Sequence, residues 1–143
     1  MENIFIIEDD KTIREELAIF LSRYGYNCTS STDFENIVER AIASKSNLIL
    51  LDINLPYYDG YYICREIRKH SNVPIIVVTS RQSEMDELMS MNLGADDFIT
   101  KPYNTQILLA RISSVLRRMY QNIDMDFLEF KGLKFNISQS LIE

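Results

Sequence analysis

The sequence predicts an α/β domain in which a five-stranded parallel sheet is doubly wound with five helices. Three observations predict it. Short unbroken apolar runs at 4–7, 48–51 and 75–78 have the composition of strands buried on both faces. Segments between them repeat apolar residues at helical spacing. The two kinds of segment alternate along the chain, and such alternation calls for a parallel sheet with right-handed crossovers and helices on both faces.

The elements follow in order. Ile4-Phe5-Ile6-Ile7 is the first strand. Ile13, Leu17, Phe20, Leu21 and Tyr24 then line one helical face, and Gly25 stops the helix. A weaker strand is expected at 26–29. Asp33 is a plausible N-cap for a second helix that carries Phe34, Ile37, Val38, Ala41 and Ile42. Leu48-Ile49-Leu50-Leu51 forms the third strand, and Ile63 and Ile67 mark the helix after it. Ile75-Ile76-Val77-Val78 is the fourth strand. Met85, Leu88 and Met89 mark a helix that ends at Gly94. A short strand at 97–100 leads to the longest helix, with Ile107, Leu108, Ile112, Val115, Leu116 and Met119. At this length the flavodoxin-like strand order 2-1-3-4-5 is expected, with a site outside the carboxyl ends of the central strands.

From about Tyr120 the pattern changes. Residues 121–126 read as a linker, and 127–143 as a second, incomplete unit in which 133–137 alternate apolar and polar like a half-buried strand. Two strands alone are marginal, so this segment needs a larger partner.

Composition narrows the function. The chain has 143 residues, 46% of them hydrophobic and 25% charged, as in a soluble domain with one core. Its net charge of −6 argues against nucleic-acid binding by this segment. No apolar run reaches the roughly 20 residues of a membrane span, and the N-terminus lacks the features of a signal peptide. A cytoplasmic protein is expected, with Cys28 and Cys64 as reduced thiols. With His70 as the single histidine, a zinc site is not expected.

Polar residues at the strand ends carry the chemistry. Glu8-Asp9-Asp10 follows the first strand, Asp52 ends the third, Thr79 ends the fourth, and Lys101-Pro102 follows the fifth. Each alone is ordinary: acidic loops cap helices, and lone Thr or Lys residues serve turns and solvent. Four in this order on one sheet edge form a set. Crowded carboxylates repel unless a cation sits among them. Mg²⁺ (or Mn²⁺) suits an all-oxygen site that also shares a phosphate oxygen. Asp52 could then act as nucleophile toward phosphorus, with Lys101 and Thr79 binding phosphoryl oxygens.

The motifs Ile6-Ile7-Glu8-Asp9-Asp10, Leu51-Asp52-Ile53-Asn54-Leu55-Pro56, Asp59-Gly60, Pro74 to Ser80 and Gly94 to Pro102 together resemble the receiver domain of two-component response regulators. The resemblance covers roughly 2–118 and implies a CheY-like fold over 1–120. It implies that Asp52 is the phosphoacceptor, that Asp9 binds Mg²⁺ directly and Glu8 through water, and that the backbone carbonyl of Asn54 is a further ligand. Lys101 pairs with the phosphoryl group, and Lys101–Pro102 is expected to be cis. Asp10 has a minor role. Thr79 and Phe98 match the family's switch pair, with Phe in place of the more usual Tyr. The resemblance also implies a protein that catalyses only its own phosphorylation and dephosphorylation, with a sensor histidine kinase as partner.

Gly94 to Arg118 resembles the OmpR/PhoB (winged-helix) branch, which dimerises through the fourth helix, fifth strand and fifth helix. Asp96, Asp97, Arg111 and Arg118 stand where that branch pairs charges across the dimer. Glu87 and Ile107 break a further pair, so a weaker dimer, or one repacked around Ile107, is expected. Residues 127–143 resemble the start of the winged-helix effector domain, so DNA binding and transcription regulation belong to a full-length protein. Without a recognition helix this segment has no element to enter a groove.

Other readings fit less well. A haloacid-dehalogenase-type hydrolase needs an Asp two residues after the nucleophile, where Asn54 stands. A flavin phosphate would be repelled by Glu8-Asp9-Asp10. A phosphorylation-independent pseudo-receiver is opposed by the intact Asp9, Asp52, Thr79 and Lys101 set. The run Tyr57, Tyr58, Tyr61, Tyr62 is expected to pack at the start of the third helix.

Overall fold

The computed structural model describes residues 2–55, 58–80 and 84–135. Five strands, β1 (Asn3–Ile7), β2 (Asn27–Ser30), β3 (Leu48–Asp52), β4 (Ile75–Thr79) and β5 (Asp97–Thr100), form one sheet in the order β2-β1-β3-β4-β5. All four pairings are parallel. Five helices alternate with them: α1 (Lys11–Ser22), α2 (Ile37–Ala43), α3 (Gly60–His70), α4 (Glu84–Asn92) and α5 (Thr105–Phe135). The fold class and strand order are those expected from the sequence.

The period of two along the strands divides the core. Phe5, Ile7, Ile49, Leu51, Ile75 and Val77 face one side and pack with Ile37 and Ala41 of α2 and Ile63 and Ile67 of α3. Ile4, Ile6, Leu48, Leu50, Ile76 and Val78 face the other and pack with Leu21 of α1 and Leu108, Ile112, Val115 and Leu116 of α5. Every residue of β3 and β4 is buried, which explains their unbroken apolar composition. The edge strand β2 has no fully buried residue, and its sequence signal is correspondingly weak.

Capping residues set the helix starts. Asp10 accepts the Ile13 N–H at 3.0 Å at the head of α1. Asp59 accepts the Tyr61 N–H at 2.9 Å at the head of α3. Asn104 accepts the Gln106 and Ile107 N–H groups at 2.7 and 3.2 Å at the head of α5. Each satisfies amides that have no carbonyl partner within the helix. The backbone at Gly25 has a φ of 92°, a left-handed conformation that ends the turn after α1.

Four expectations needed adjusting. β2 lies one residue later than 26–29. Asp33 caps a 3₁₀ turn (Phe34–Asn36), and α2 begins only at Ile37. In α4, Leu88 and Met89 are exposed (54% and 48%), whereas Ser90 is fully buried. Spacing identifies a helical stripe but not which way it faces. Finally, α5 continues through 121–135, where a linker and a first strand were expected. No Gly or Pro intervenes between Tyr103 and Gly132 to stop it. Tyr57 and residues 136–143 lie outside the described residues.

Candidate functional site

Because the strands all run the same way, their carboxyl ends meet along one edge of the sheet. β1 leads into Glu8-Asp9-Asp10, β3 ends on Asp52, β4 ends on Thr79, and β5 is followed by Lys101. Parallel register sets Ile7 beside Leu51, Asp52 beside Val78, and Thr79 beside Thr100. Side chains separated by up to 93 positions are thereby brought within hydrogen-bond reach.

Lys101 Nζ donates to Asp52 Oδ2 and Glu8 Oε1, at 3.1 Å each. Both carboxylates are 5% exposed. Carboxylate oxygens of Glu8, Asp9 and Asp52 lie within 4.8 Å of one another. Two of these three acids share one ammonium. Burial, and then the charge of Asp52, push the Glu8 carboxyl up to about 7. Burial works against the Lys101 ammonium, but Asp52 and Glu8 outweigh it and raise its pKa. This excess of carboxylate oxygens fits a hard divalent cation, whose charge would relieve the repulsion.

The loop after β3 is tied to the end of β4. Asn54 N–H donates to Asp52 Oδ1 at 2.8 Å. Its amide oxygen accepts from the Thr79 hydroxyl and, at 2.9 Å, from the Ser80 N–H. Thr79 is fully buried, and its carbonyl accepts the Lys101 N–H at 2.7 Å. The Lys101–Pro102 peptide is cis, as expected. Phe98 is 9% exposed and packs in the α2–α3 side of the core. Gly60 allows α3 to start against this loop: a Cβ there would lie 2.3 Å from Ile53 Cα.

Sequence reasoning missed two contributors. Arg14 donates to the Glu8 carbonyl at 2.9 Å and bonds the backbone that presents the acidic loop. Its signal was a long cation one turn into the helix that the acidic loop opens. The second is the Asn54 side chain, which the sequence reading uses only to argue against a hydrolase, while the metal role falls to its backbone carbonyl. Nothing in spacing alone shows that its amide would reach β4.

Asp96, Asp97 and Arg111 on the β5–α5 side are engaged within the chain. Arg111 donates to Asp97 at 2.8 Å. Asp96 Oδ2 accepts from Arg68 at 3.1 Å and from the Ile75 N–H at 2.9 Å. Arg118 lies exposed on α5. Ile107 is 51% exposed, and Leu88 and Met91 on α4 are also exposed. The side chain of Glu87 lies outside the described residues.

A family model described as response regulator receiver domain matches residues 4–113. The chain belongs to that family. This receiver is 46% identical over 120 residues to the transcriptional regulatory protein YxdJ of Bacillus subtilis, covering 84% of the chain and 52% of that protein. It is 45% identical over 120 residues to the sensory transduction protein BceR of Halalkalibacterium halodurans, with the same coverage. The receiver therefore spans about half the length of the curated relatives it matches. Among solved structures, it resembles the N-terminal domain of the nisin resistance regulator NsrR (40% identity, TM-score 0.75, 81% of this chain and 98% of that one). It also resembles the BeF3-activated receiver domain of Klebsiella pneumoniae RstA (33% identity, TM-score 0.76, 80% and 98%). No described helix of the receiver is long and apolar enough to cross a membrane.

Proposed function

We propose that this receiver takes a phosphoryl group on Asp52 from a phosphohistidine of a sensor histidine kinase, and that the transfer changes its association with a second copy. The observation that carries the reading is the buried Asp52 carboxylate, held 3.1 Å from Lys101 and clustered with Glu8 and Asp9. An Asp52 oxygen attacks phosphorus, the P–N bond breaks, and the imidazole leaves with the electron pair and takes up a proton. An acyl phosphate remains, and water hydrolyses it to the Asp52 carboxylate and inorganic phosphate. Lys101 neutralises charge on the transferring oxygens, and the Thr79 hydroxyl donates to one of them. Asp9, Asp52, the Asn54 carbonyl and, through water, Glu8 would hold Mg²⁺ or Mn²⁺, which would supply charge neutralisation. Phe98 answers the movement of Thr79 by repacking.

The receiver then dimerises through α4, β5 and α5, where exposed Leu88, Met91 and Ile107 supply apolar contact. In the full-length protein this controls DNA binding and transcription, a reading supported by the name of the relative YxdJ and by the match covering only 52% of it. Residues 127–143 then open the winged-helix effector domain, whose strands form only against the rest of its sheet.

Intact mass after incubation with Mg²⁺ and acetyl phosphate tests the central step. One phosphoryl group on wild type and none on Asp52→Asn is expected. An unmodified wild type that is folded and binds Mg²⁺ would overturn it in favour of a phosphorylation-independent interaction module.

A further inference from the structure

The Asn54 amide oxygen is the acceptor for three donors at the end of β4. The Thr79 hydroxyl, the Ser80 N–H at 2.9 Å and the Ser80 hydroxyl at 3.2 Å all donate to it. An amide oxygen has two lone pairs, so three donors more than fill it. Asn54 itself is fixed to the acceptor carboxylate through its N–H on Asp52 Oδ1 at 2.8 Å. One side chain therefore joins the loop that follows Asp52 to the residue that closes the neighbouring strand.

The Thr79 hydroxyl has one hydrogen to give. It can donate to Asn54 or to an oxygen of a phosphoryl group on Asp52, but not to both at once. Resting on the phosphoacceptor reading, we propose that the Asn54 side chain is a positioning residue that holds Thr79 and Ser80 in the resting arrangement and competes with the phosphoryl group for that proton. A neutral amide is suited to this. It accepts well enough to hold a shielded hydroxyl, yet a charged phosphoryl oxygen makes a hydrogen bond about twice as strong and wins the exchange. Asn54 thereby sets how much of the phosphoryl group's interaction is consumed before the segment after β4 can move.

The test compares wild type with Asn54→Ala and Asn54→Leu, the latter keeping bulk without an acceptor. In the unphosphorylated protein, NMR follows the Thr79 methyl signal and hydrogen exchange of the Ser80 amide. Both variants are expected to exchange Ser80 several-fold faster and to move the Thr79 signal toward its position in wild type saturated with Mg²⁺ and beryllofluoride. With Mg²⁺ saturating, half-maximal beryllofluoride should fall about three- to tenfold, the effect of losing one net hydrogen bond from the resting state. Wild-type exchange and wild-type Thr79 shifts in both variants would overturn the proposal. So would a Leu variant that behaves as wild type while Ala does not, since bulk would then be the cause. A wild type that takes no beryllofluoride would overturn the phosphoacceptor reading and the competition built on it, while the resting-state signals would still judge the Asn54 contact.

Discussion

Lys101 Nζ stands 3.1 Å from Asp52 Oδ2, joining the residue after β5 to the residue that ends β3. Glu8 shares the same ammonium at the same distance, so one cation balances two buried carboxylates. Removing it leaves both without a counter-charge in a cleft that water reaches only partly. Lys101→Met should lower unfolding free energy at pH 8 by about 1–3 kcal/mol, below the range for a fully buried broken pair. Adding Asp52→Asn to that variant should recover most of the loss. Urea midpoints of the three proteins check this, and equal midpoints for wild type and Lys101→Met would refute it.

The acidic cluster predicts a metal response of definite sign. Divalent cations should stabilise the folded chain, because Glu8, Asp9 and Asp52 converge only when it is folded. Mg²⁺ at about a hundred times its dissociation constant adds about 2.7 kcal/mol. The gain should be reversed by a chelator and largely lost in Asp9→Ala, whose exposed side chain contributes little else to packing. Thermal denaturation with and without Mg²⁺ measures it. An Asp9→Ala protein that gains as much as wild type would remove Asp9 from the ligand set.

Gly60 is where α3 starts against the loop that follows Asp52. A Cβ would approach Ile53 Cα to 2.3 Å, and a backbone atom cannot swing aside as the end of a side chain can. Gly60→Ala should therefore destabilise by about 2–3 kcal/mol and slow phosphoryl uptake by displacing Asn54. A chemical denaturation curve beside an acetyl phosphate time course tests both. Normal stability would mean that α3 can slide along its axis at no cost.

The contrast between what could be read in the sequence and what could not follows from the physics of each signal. β3 and β4 are buried on every residue, so an unbroken apolar run identified them. Asp52, Thr79 and Lys101 were legible because a strand end fixes where a side chain lies in a parallel sheet. The bonds of Asn54 to Thr79 and Ser80 were not, because they depend on the path of a loop with no periodicity. The facing of α4 was also hidden. Its stripe exists, but whether Leu88 or Ser90 turns inward is decided by packing. Residues 121–131 carry turn-like polar residues without a Gly or Pro to enforce a stop, and local helix continuation prevailed.

Alkaline pH should destabilise the domain. Burial pushes the Cys28 and Cys64 thiols up to about 11 and, first among its causes, raises the Tyr26 and Tyr103 phenols. In the unfolded chain these groups ionise near their ordinary values, roughly 8.5 for Cys and 10 for Tyr. Above about pH 8.5 the unfolded state therefore releases protons that the folded state keeps, and stability falls as pH rises toward 11. The raised Lys101 pKa acts the same way, since its stabilisation is lost as pH rises through the folded value. Urea midpoints should be level from pH 7.5 to 8.5 and then decline, with a shallower first decline in Cys64→Ala. A midpoint unchanged to pH 10.5 would contradict this.

Asp96 and Arg118 should separate when each is removed. Asp96 Oδ2 accepts from both Arg68 and the first amide of β4, and Arg68 also donates twice to the Gly94 carbonyl, at 2.7 and 3.1 Å. Asp96 thus secures the turn between α4 and β5 within one chain before any second copy arrives. Asp96→Ala leaves the Ile75 amide without its acceptor and should cost about 1–3 kcal/mol of monomer stability. Arg118 is exposed on α5, where substitution normally changes stability by no more than about 0.5 kcal/mol. If Arg118 meets Asp96 of a second copy, Arg118→Ala should weaken self-association of the phosphorylated protein while leaving the urea midpoint in place. Sedimentation velocity over a concentration series, paired with unfolding of the same samples, distinguishes the two effects. An Arg118→Ala protein that associates as wild type would show that Asp96 serves its own chain alone, and the dimer would then rest on the exposed Leu88, Met91 and Ile107.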